Sequence, residues 1–239
     1  RVDRRQRQMC IRDSLYVSLS IIGLYEINIA INYIGLNNVP LTSFIGIIFI
    51  IVGLLFKVAA APFQAWAPDV YQGSPTGYVG YMAAVAKAAS FVVLARLITV
   101  SLRFILDQFD LFFSAVVILS VLGGALFATN QSDLKRLIAY SGVIQSGFIL
   151  SGISSGVFGV SASTFYLITY IIQLVGIFTV FSIISGQLSS DFQIYNISGL
   201  FKENKFITIT FAIFMLGLAG LPLTSGFVSK FILITNLWS

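Results

Sequence analysis

Histidine is absent from the 239-residue chain, and cysteine occurs once, at Cys10. Those absences leave no haem ligand set, no iron–sulfur pattern and no zinc site. No glycine-rich dinucleotide fingerprint or phosphate-binding loop is present either. The chain is therefore expected to hold no metal and no cofactor, and it cannot carry redox chemistry by itself. Charge is also scarce, at 10% of residues, against about 25% in soluble domains. What fills the space is apolar: 57% of residues are hydrophobic and mean hydropathy is +0.95. Uncharged runs long enough to cross about 30 Å of hydrocarbon recur along the chain. Length and composition together predict one multi-spanning, all-α transmembrane bundle in the lipid bilayer, with no nucleic-acid partner.

The net charge of +5 is concentrated at one end. Residues 1–13, RVDRRQRQMCIRD, hold five arginines and two aspartates, leaving nine basic against seven acidic residues elsewhere. No compact apolar region with a small-residue cleavage site follows, so the segment does not read as a signal peptide. It could be a basic cytosolic tail; the preferred reading is a non-native or disordered segment. Residues 14–239 are expected to form the bundle, truncated at both ends, since the sequence stops inside an apolar stretch.

Hydrophobic runs and their breakers give about seven candidate spans: 14–36, 40–61, 75–103, 111–130, 134–155, 160–188 and one starting near Phe206. The last is interrupted at GLAGLPLTSG, residues 217–226, and continues through Lys230. The loop before the fifth span carries Asp133, Lys135 and Arg136; the loop before the seventh carries Lys202 and Lys205. Those loops lie two spans apart and so share a side, which the positive-inside rule makes cytoplasmic. The 62–74 loop then falls on the same side, and the 104–110 loop, with Asp107 and Asp110, on the other. Asp69 and Asp133 read as caps or partners for these loops.

Three lysines interrupt the apolar pattern. A lysine at the bilayer centre is expensive and rare unless it lines a cavity or an ion path. Lys57 lies near the end of its span, where a lysine can snorkel to the headgroups. Pro62 and Pro68 follow closely, however, and a helix broken at Pro62 would keep freed backbone groups at membrane depth. On position alone both readings of Lys57 stand. Lys87 falls in the middle of its span, with Ala83, Ala84 and Ser90 as helical neighbours. A proton-carrying role is its preferred reading over a static pair. Lys230 follows the break at Pro222, and glycine- or proline-interrupted spans mark binding and coupling sites in transporters. A lysine beside a broken span thus occurs twice, which points to an internal repeat.

Polar side chains suited to carrying water lie between the lysines. Ser141, Gln145 and Ser146 belong to the fifth span; Tyr166, Thr169, Tyr170 and Gln173 belong to the sixth. Thr169 and Gln173 share a helix face. The same residue types also join helices to one another, and that reading stands beside the polar path.

The stretches FKVAAAPFQAWAPDVYQGSPT and MAAVAKAASFVVLARLI resemble the antiporter-like N-subunit family of bacterial NADH–quinone oxidoreductase, respiratory complex I. Mitochondrial subunit 2 and the chloroplast B-type subunit are counterparts. SDLKRLIAYSGVIQSGF and AGLPLTSGFVSKF continue the match in order, so the resemblance covers roughly residues 41–239. It implies part of a bundle with two inverted repeats and two discontinuous helices. In that pattern Lys57 resembles a lysine paired with a glutamate of an earlier helix, which has no counterpart here. Lys87 resembles the central proton-relay lysine, and Lys230 the terminal lysine of the second half-channel. Gln64 and Gln145 stand where the family often has histidine, and glutamine cannot change charge near neutral pH.

The resemblance implies a non-redox, proton-translocating subunit of the H+-translocating NADH–quinone oxidoreductase, multi-pass in a bacterial plasma membrane. NADH, FMN, Fe–S clusters and quinone are expected in partner subunits, and the partners are the other membrane-arm subunits. Taking an ammonium out of water favours its neutral form, so buried lysines can release and rebind protons along a row. A Mrp-type cation/proton antiporter subunit, which shares the lysine pattern, is the alternative.

Overall fold

The computed structural model describes residues 41–101, 106–185, 192–197, 201 and 204–238. Residues 1–13 and the expected 14–36 span lie outside the described residues. Within them the chain is helical, apart from an isolated antiparallel bridge between Asp133 and Gln193. Helix α1 (Leu41–Lys57) is followed by the short α2 (Trp66–Gly73). Next come α3 (Thr76–Tyr81) and α4 (Lys87–Arg96), joined through a π-helical turn over Met82–Ala86. Helices α5 (Leu106–Thr129), α6 (Leu134–Ser154) and α7 (Val157–Ser185) are long and continuous. The chain closes with α8 (Lys205–Ala219) and α9 (Ser225–Trp238).

Among the described residues, four helices are long and apolar enough to cross a membrane: Thr76–Thr99, Phe109–Thr129, Leu134–Ser154 and Phe158–Ser185. Two shorter apolar helices, Gly46–Lys57 and Lys205–Ala219, each end at a break. Both interruptions read from the sequence are therefore real features of the fold.

Helix α6 is the axis of the bundle and packs against α2, α5, α7 and α9. Most of α6 is buried, whereas α5 shields α6 on one side only. Along α5, Phe109, Phe113, Val116 and Ser120 recur at helical spacing and are buried; Leu111, Ile118, Leu122 and Leu126 form the exposed apolar face. Close contact between α5 and α6 requires small residues: a Cβ on Gly147 would lie 2.8 Å from Val121 Cγ2. Gly80, on α3, does the same against α7, where a Cβ would meet Phe178 at 2.9 Å.

Three loops meet at one end of α6. Leu134 N–H donates to Phe192 O and Ile194 N–H to Ser132 O, pinning the segment after α7 against the start of α6. Arg136 reaches Asp69 and Gln72 of α2 at 2.8 and 3.0 Å. The loops at 62–74, 130–133 and 192–197 thus share an end of the bundle, as the charge argument required of loops on one side.

Two boundaries differ from the sequence expectation. The 62–74 connection contains helix α2 rather than a simple loop. Helix α5 already includes Asp107 and Asp110, which the sequence placed in a loop.

Candidate functional site

The middle turn of α6, residues 142–146, lies eight to twelve residues beyond Leu134. At 1.5 Å per residue that is about 12–18 Å along the axis, near mid-depth of a hydrocarbon layer about 30 Å thick. All three lysine-bearing segments converge on this turn.

Lys87 is 3% exposed, immediately after the π-helical turn of the α3–α4 rod. Its Nζ donates to Gly142 O at 2.9 Å and to Ser146 Oγ at 3.2 Å. A lysine at the centre of a membrane helix costs about 2.5–3.5 kcal/mol on insertion scales. Hydrogen bonds to a charged group return about 1.5–3 kcal/mol each, so two of them offset the burial. Tyr170 closes on the same place: a Cβ on Gly142 would meet Tyr170 OH at 2.9 Å and Lys87 Nζ at 3.1 Å. Only a bare α-carbon leaves room for both groups.

The first break follows Lys57. Ala59 takes a left-handed conformation (φ 57°), the Ala61–Pro62 peptide is cis, and Pro62 has no N–H with which to continue α1. Val58 to Ala61 are nevertheless almost fully buried, so their backbone groups need partners. Ser146 Oγ donates to Val58 O at 3.0 Å, Ala61 N–H donates to Ser120 Oγ at 2.9 Å, and Trp66 Nε1 donates to Phe56 O at 2.9 Å. The bond to Ser146 sets the level of the break at mid-depth of α6. Lys57 itself is half-buried and has no hydrogen-bond or ion-pair partner among the described residues. Gln64, just past the break, likewise has a buried Oε1 with no partner among the described residues.

The second break follows Ala219. Gly220 and Leu223 both take positive φ, at 79° and 77°, and end α8 before α9 begins. Lys230 folds back from α9 onto the end of α8, where Nζ donates to Leu218 O at 3.3 Å and Ala219 O at 3.1 Å. Its ammonium also lies 5.4 Å from the centre of the Phe148 ring, a cation–π distance. Gln145 Nε2 donates to the same Leu218 O at 3.0 Å, and Tyr166 OH donates to Gln145 Oε1. Adjacent residues of α6 therefore hold the two breaks: Ser146 the first, Gln145 the second.

Gln145, Tyr166, Thr169, Tyr170, Gln173 and Lys230 line one polar crevice, too narrow here for a water molecule. Gln173 Nε2 also reaches Ser225 Oγ at the start of α9, at 3.4 Å. Ser141 does not join this group; its hydroxyl donates to Ile138 O of its own helix. Pro62 and Pro222 are exposed beside the breaks rather than lining the crevice. Lys135 is buried at the loop end of α6, donating to Ser74 O at 2.9 Å and lying 4.7 Å from the Phe192 ring centre. Asp133 is the N-cap of α6, accepting from Arg136 N–H at 3.1 Å. Lys135, Arg136 and Asp133 are thus tied to the connections and lie about 10–16 Å from the middle turn, by helical rise.

Sequence reasoning passed over Gly142, Ser120 and the carbonyls of Val58 and Leu218. The carbonyls carry no side-chain signature. Gly142 and Ser120 gain their roles only from a partner 55 or 59 residues away. Ser146 and Tyr166 stood out as polar residues in apolar spans, but nothing local marked them as partners of Lys87 and Gln145.

Residues 14–239 match the family model described as "NADH:quinone oxidoreductase/Mrp antiporter, TM". NADH-quinone oxidoreductase subunit N of Mycobacterium bovis is 42% identical over 191 residues, 78% of this chain and 36% of that protein. The chain therefore spans about a third of the length of that curated relative. A chain in the structure of respiratory complex I from Thermus thermophilus with bound aureothin is similar at 35% identity and TM-score 0.68. That match covers 78% of this chain and 40% of that one. A chain of the Mrp complex from Dietzia sp. DQ12-45-1b matches 95% of this chain and 44% of its own, at TM-score 0.77 and 22% identity. The last likeness speaks to the fold alone.

Proposed function

The chain belongs to the NADH:quinone oxidoreductase/Mrp antiporter transmembrane family, and we propose that it moves protons as part of a membrane-arm subunit of a bacterial NADH–quinone oxidoreductase. The observation that carries this reading is the meeting of three lysine-bearing segments at mid-depth of α6. Lys87 is buried there, Lys57 adjoins one helix break, and Lys230 is bound to the other. Lys87 can exchange a proton and remain hydrogen-bonded in either charge state, because its partners are one carbonyl and one hydroxyl.

In this reading Lys57, Lys87 and Lys230 form the relay. Tyr170, Gln145, Thr169 and Gln173 supply polar atoms between Lys87 and Lys230, with Ser141 at the margin. Lys135, Arg136 and Asp133 mark the cytoplasmic end. The chain contributes no redox centre; NADH, FMN, Fe–S clusters and quinone belong to partner subunits, whose redox reaction supplies the driving energy. The Mrp-type antiporter reading has the family description, which names both kinds of protein, behind it. The 42% identity to a subunit N favours the oxidoreductase.

Proton uptake by vesicles containing the intact complex separates the two. Uptake that requires NADH and quinone, and persists without sodium, is the expected result. Cation-driven proton exchange that proceeds without NADH or quinone would instead assign the chain to an antiporter.

A further inference from the structure

We propose that Ser146 is a positioning residue that couples Lys87 to the break in α1, through a hydroxyl proton that can serve only one acceptor at a time. This inference rests on the proton-relay reading and adds to it a specific link between two lysines.

The geometry is a branched set of hydrogen bonds. Ser146 Oγ accepts from Lys87 Nζ at 3.2 Å and has two acceptors in reach, Val58 O at 3.0 Å and Gly142 O at 2.7 Å. A hydroxyl has one proton to donate, so the two carbonyls compete for it. Lys87 also donates to Gly142 O, at 2.9 Å. While Lys87 is an ammonium, Nζ donates to both Gly142 O and Ser146 Oγ, and the Ser146 proton can be shared with Val58 O without leaving Gly142 O unpaired. When Lys87 gives up a proton to the relay, its nitrogen gains a lone pair and becomes an acceptor. The Ser146 hydroxyl then turns toward Nζ, and Val58 O loses its donor.

Val58 is the residue after Lys57 and the first residue beyond α1. Its carbonyl is buried, so losing the donor leaves it unsatisfied, whereas Ala61 N–H on the far side of the break keeps Ser120. Release on one side and retention on the other biases the break, and with it the backbone that carries Lys57. The charge on Lys87 is thereby transmitted to Lys57 without direct contact between their side chains. Ser146 is 0% exposed and lies next to Gln145, so the same turn of α6 also contacts the second break.

The test uses the intact complex in vesicles, with assembly checked by the amount incorporated and NADH-driven proton uptake measured together with turnover. Ser146→Ala is expected to lower the uptake rate about fivefold, the factor that one net hydrogen bond contributes to an equilibrium. Ser146→Thr, which keeps the hydroxyl, is expected to retain most of the uptake. If Ser146→Ala fails to assemble, Ser146→Cys keeps the size with a weaker donor and is expected to show the same loss. Adding the Ser146 change to Lys57→Ala is expected to cause little loss beyond that of Lys57→Ala alone, because Ser146 acts through the break that carries Lys57.

Wild-type uptake in Ser146→Ala or Ser146→Cys would overturn the proposal, and so would losses that multiply when combined with Lys57→Ala. Lys87→Gln separates the layers. If it pumps like the wild type, the relay reading itself fails. If it abolishes uptake while the Ser146 variants are normal, only the Ser146 link fails.

Discussion

Replacing Gly220 with alanine tests whether the second break holds Lys230 in its working position. Gly220 has φ 79°, a conformation that costs an L-residue about 1–2 kcal/mol. A Cβ there would also meet Lys230 Cδ at 2.9 Å, Nζ at 3.0 Å and Cε at 3.3 Å. The lysine must swing away, giving up its donations to Leu218 O and Ala219 O. Because Lys230 is only half-buried, solvent recovers part of that loss, and about 1–2 kcal/mol is a reasonable addition. Gly156 supplies the control: it has φ 93° but open space around a Cβ. Gly156→Ala should carry the backbone penalty alone. Thermal dissociation of the complex is expected to fall for both variants, and somewhat further for Gly220→Ala. NADH-driven proton uptake per turnover is expected to fall only for Gly220→Ala. Equal uptake in the two variants would refute the idea that the break positions Lys230.

Gln145→Leu removes the acceptor of Tyr166 OH and one of the two donors to Leu218 O while keeping the volume, leaving the buried Tyr166 hydroxyl unpaired at about 1–3 kcal/mol. Proton uptake should fall, and Gln145→His, which can both accept and donate, should restore most of it; uptake unaffected by Gln145→Leu would remove that side chain from the path. Gly176→Ala drives a methyl group into the Phe214 ring where α7 packs on α8. It should lower thermal stability by about 1–3 kcal/mol without altering the ratio of protons to electrons, and a change in that ratio would show that this contact serves more than packing.

The sequence carried the architecture well because membrane spans are written in composition. Uncharged runs gave the helices, Pro62 and the GLAGLPLTSG stretch gave the breaks, and loop lysines gave a consistent arrangement of ends. Helix α2 was not legible, since eight residues containing Trp66, Pro68 and Asp69 lack a periodic apolar pattern. Lys87 was legible because a lysine in the middle of a span is costly. Lys57 was not resolved by position, because linear distance from the end of a run says nothing of depth once the helix breaks. Its level follows from Val58 O bonding Ser146, a contact 88 residues apart. Hydrogen bonds of that range, to main-chain carbonyls freed by a break, have no trace in local sequence. For the same reason nothing local showed that Gln145, marked by the family pattern, and Ser146 each serve a different break.

The central claim is that a proton passes through Lys87, and Lys87→Ala in the intact complex tests it most directly. Protons taken up per NADH oxidised should be measured in sealed vesicles, with assembly and quinone reduction followed in parallel. The account predicts an assembled complex with strongly reduced uptake, and turnover lowered along with it where the two are tightly coupled. Wild-type uptake and wild-type turnover in that variant would contradict it.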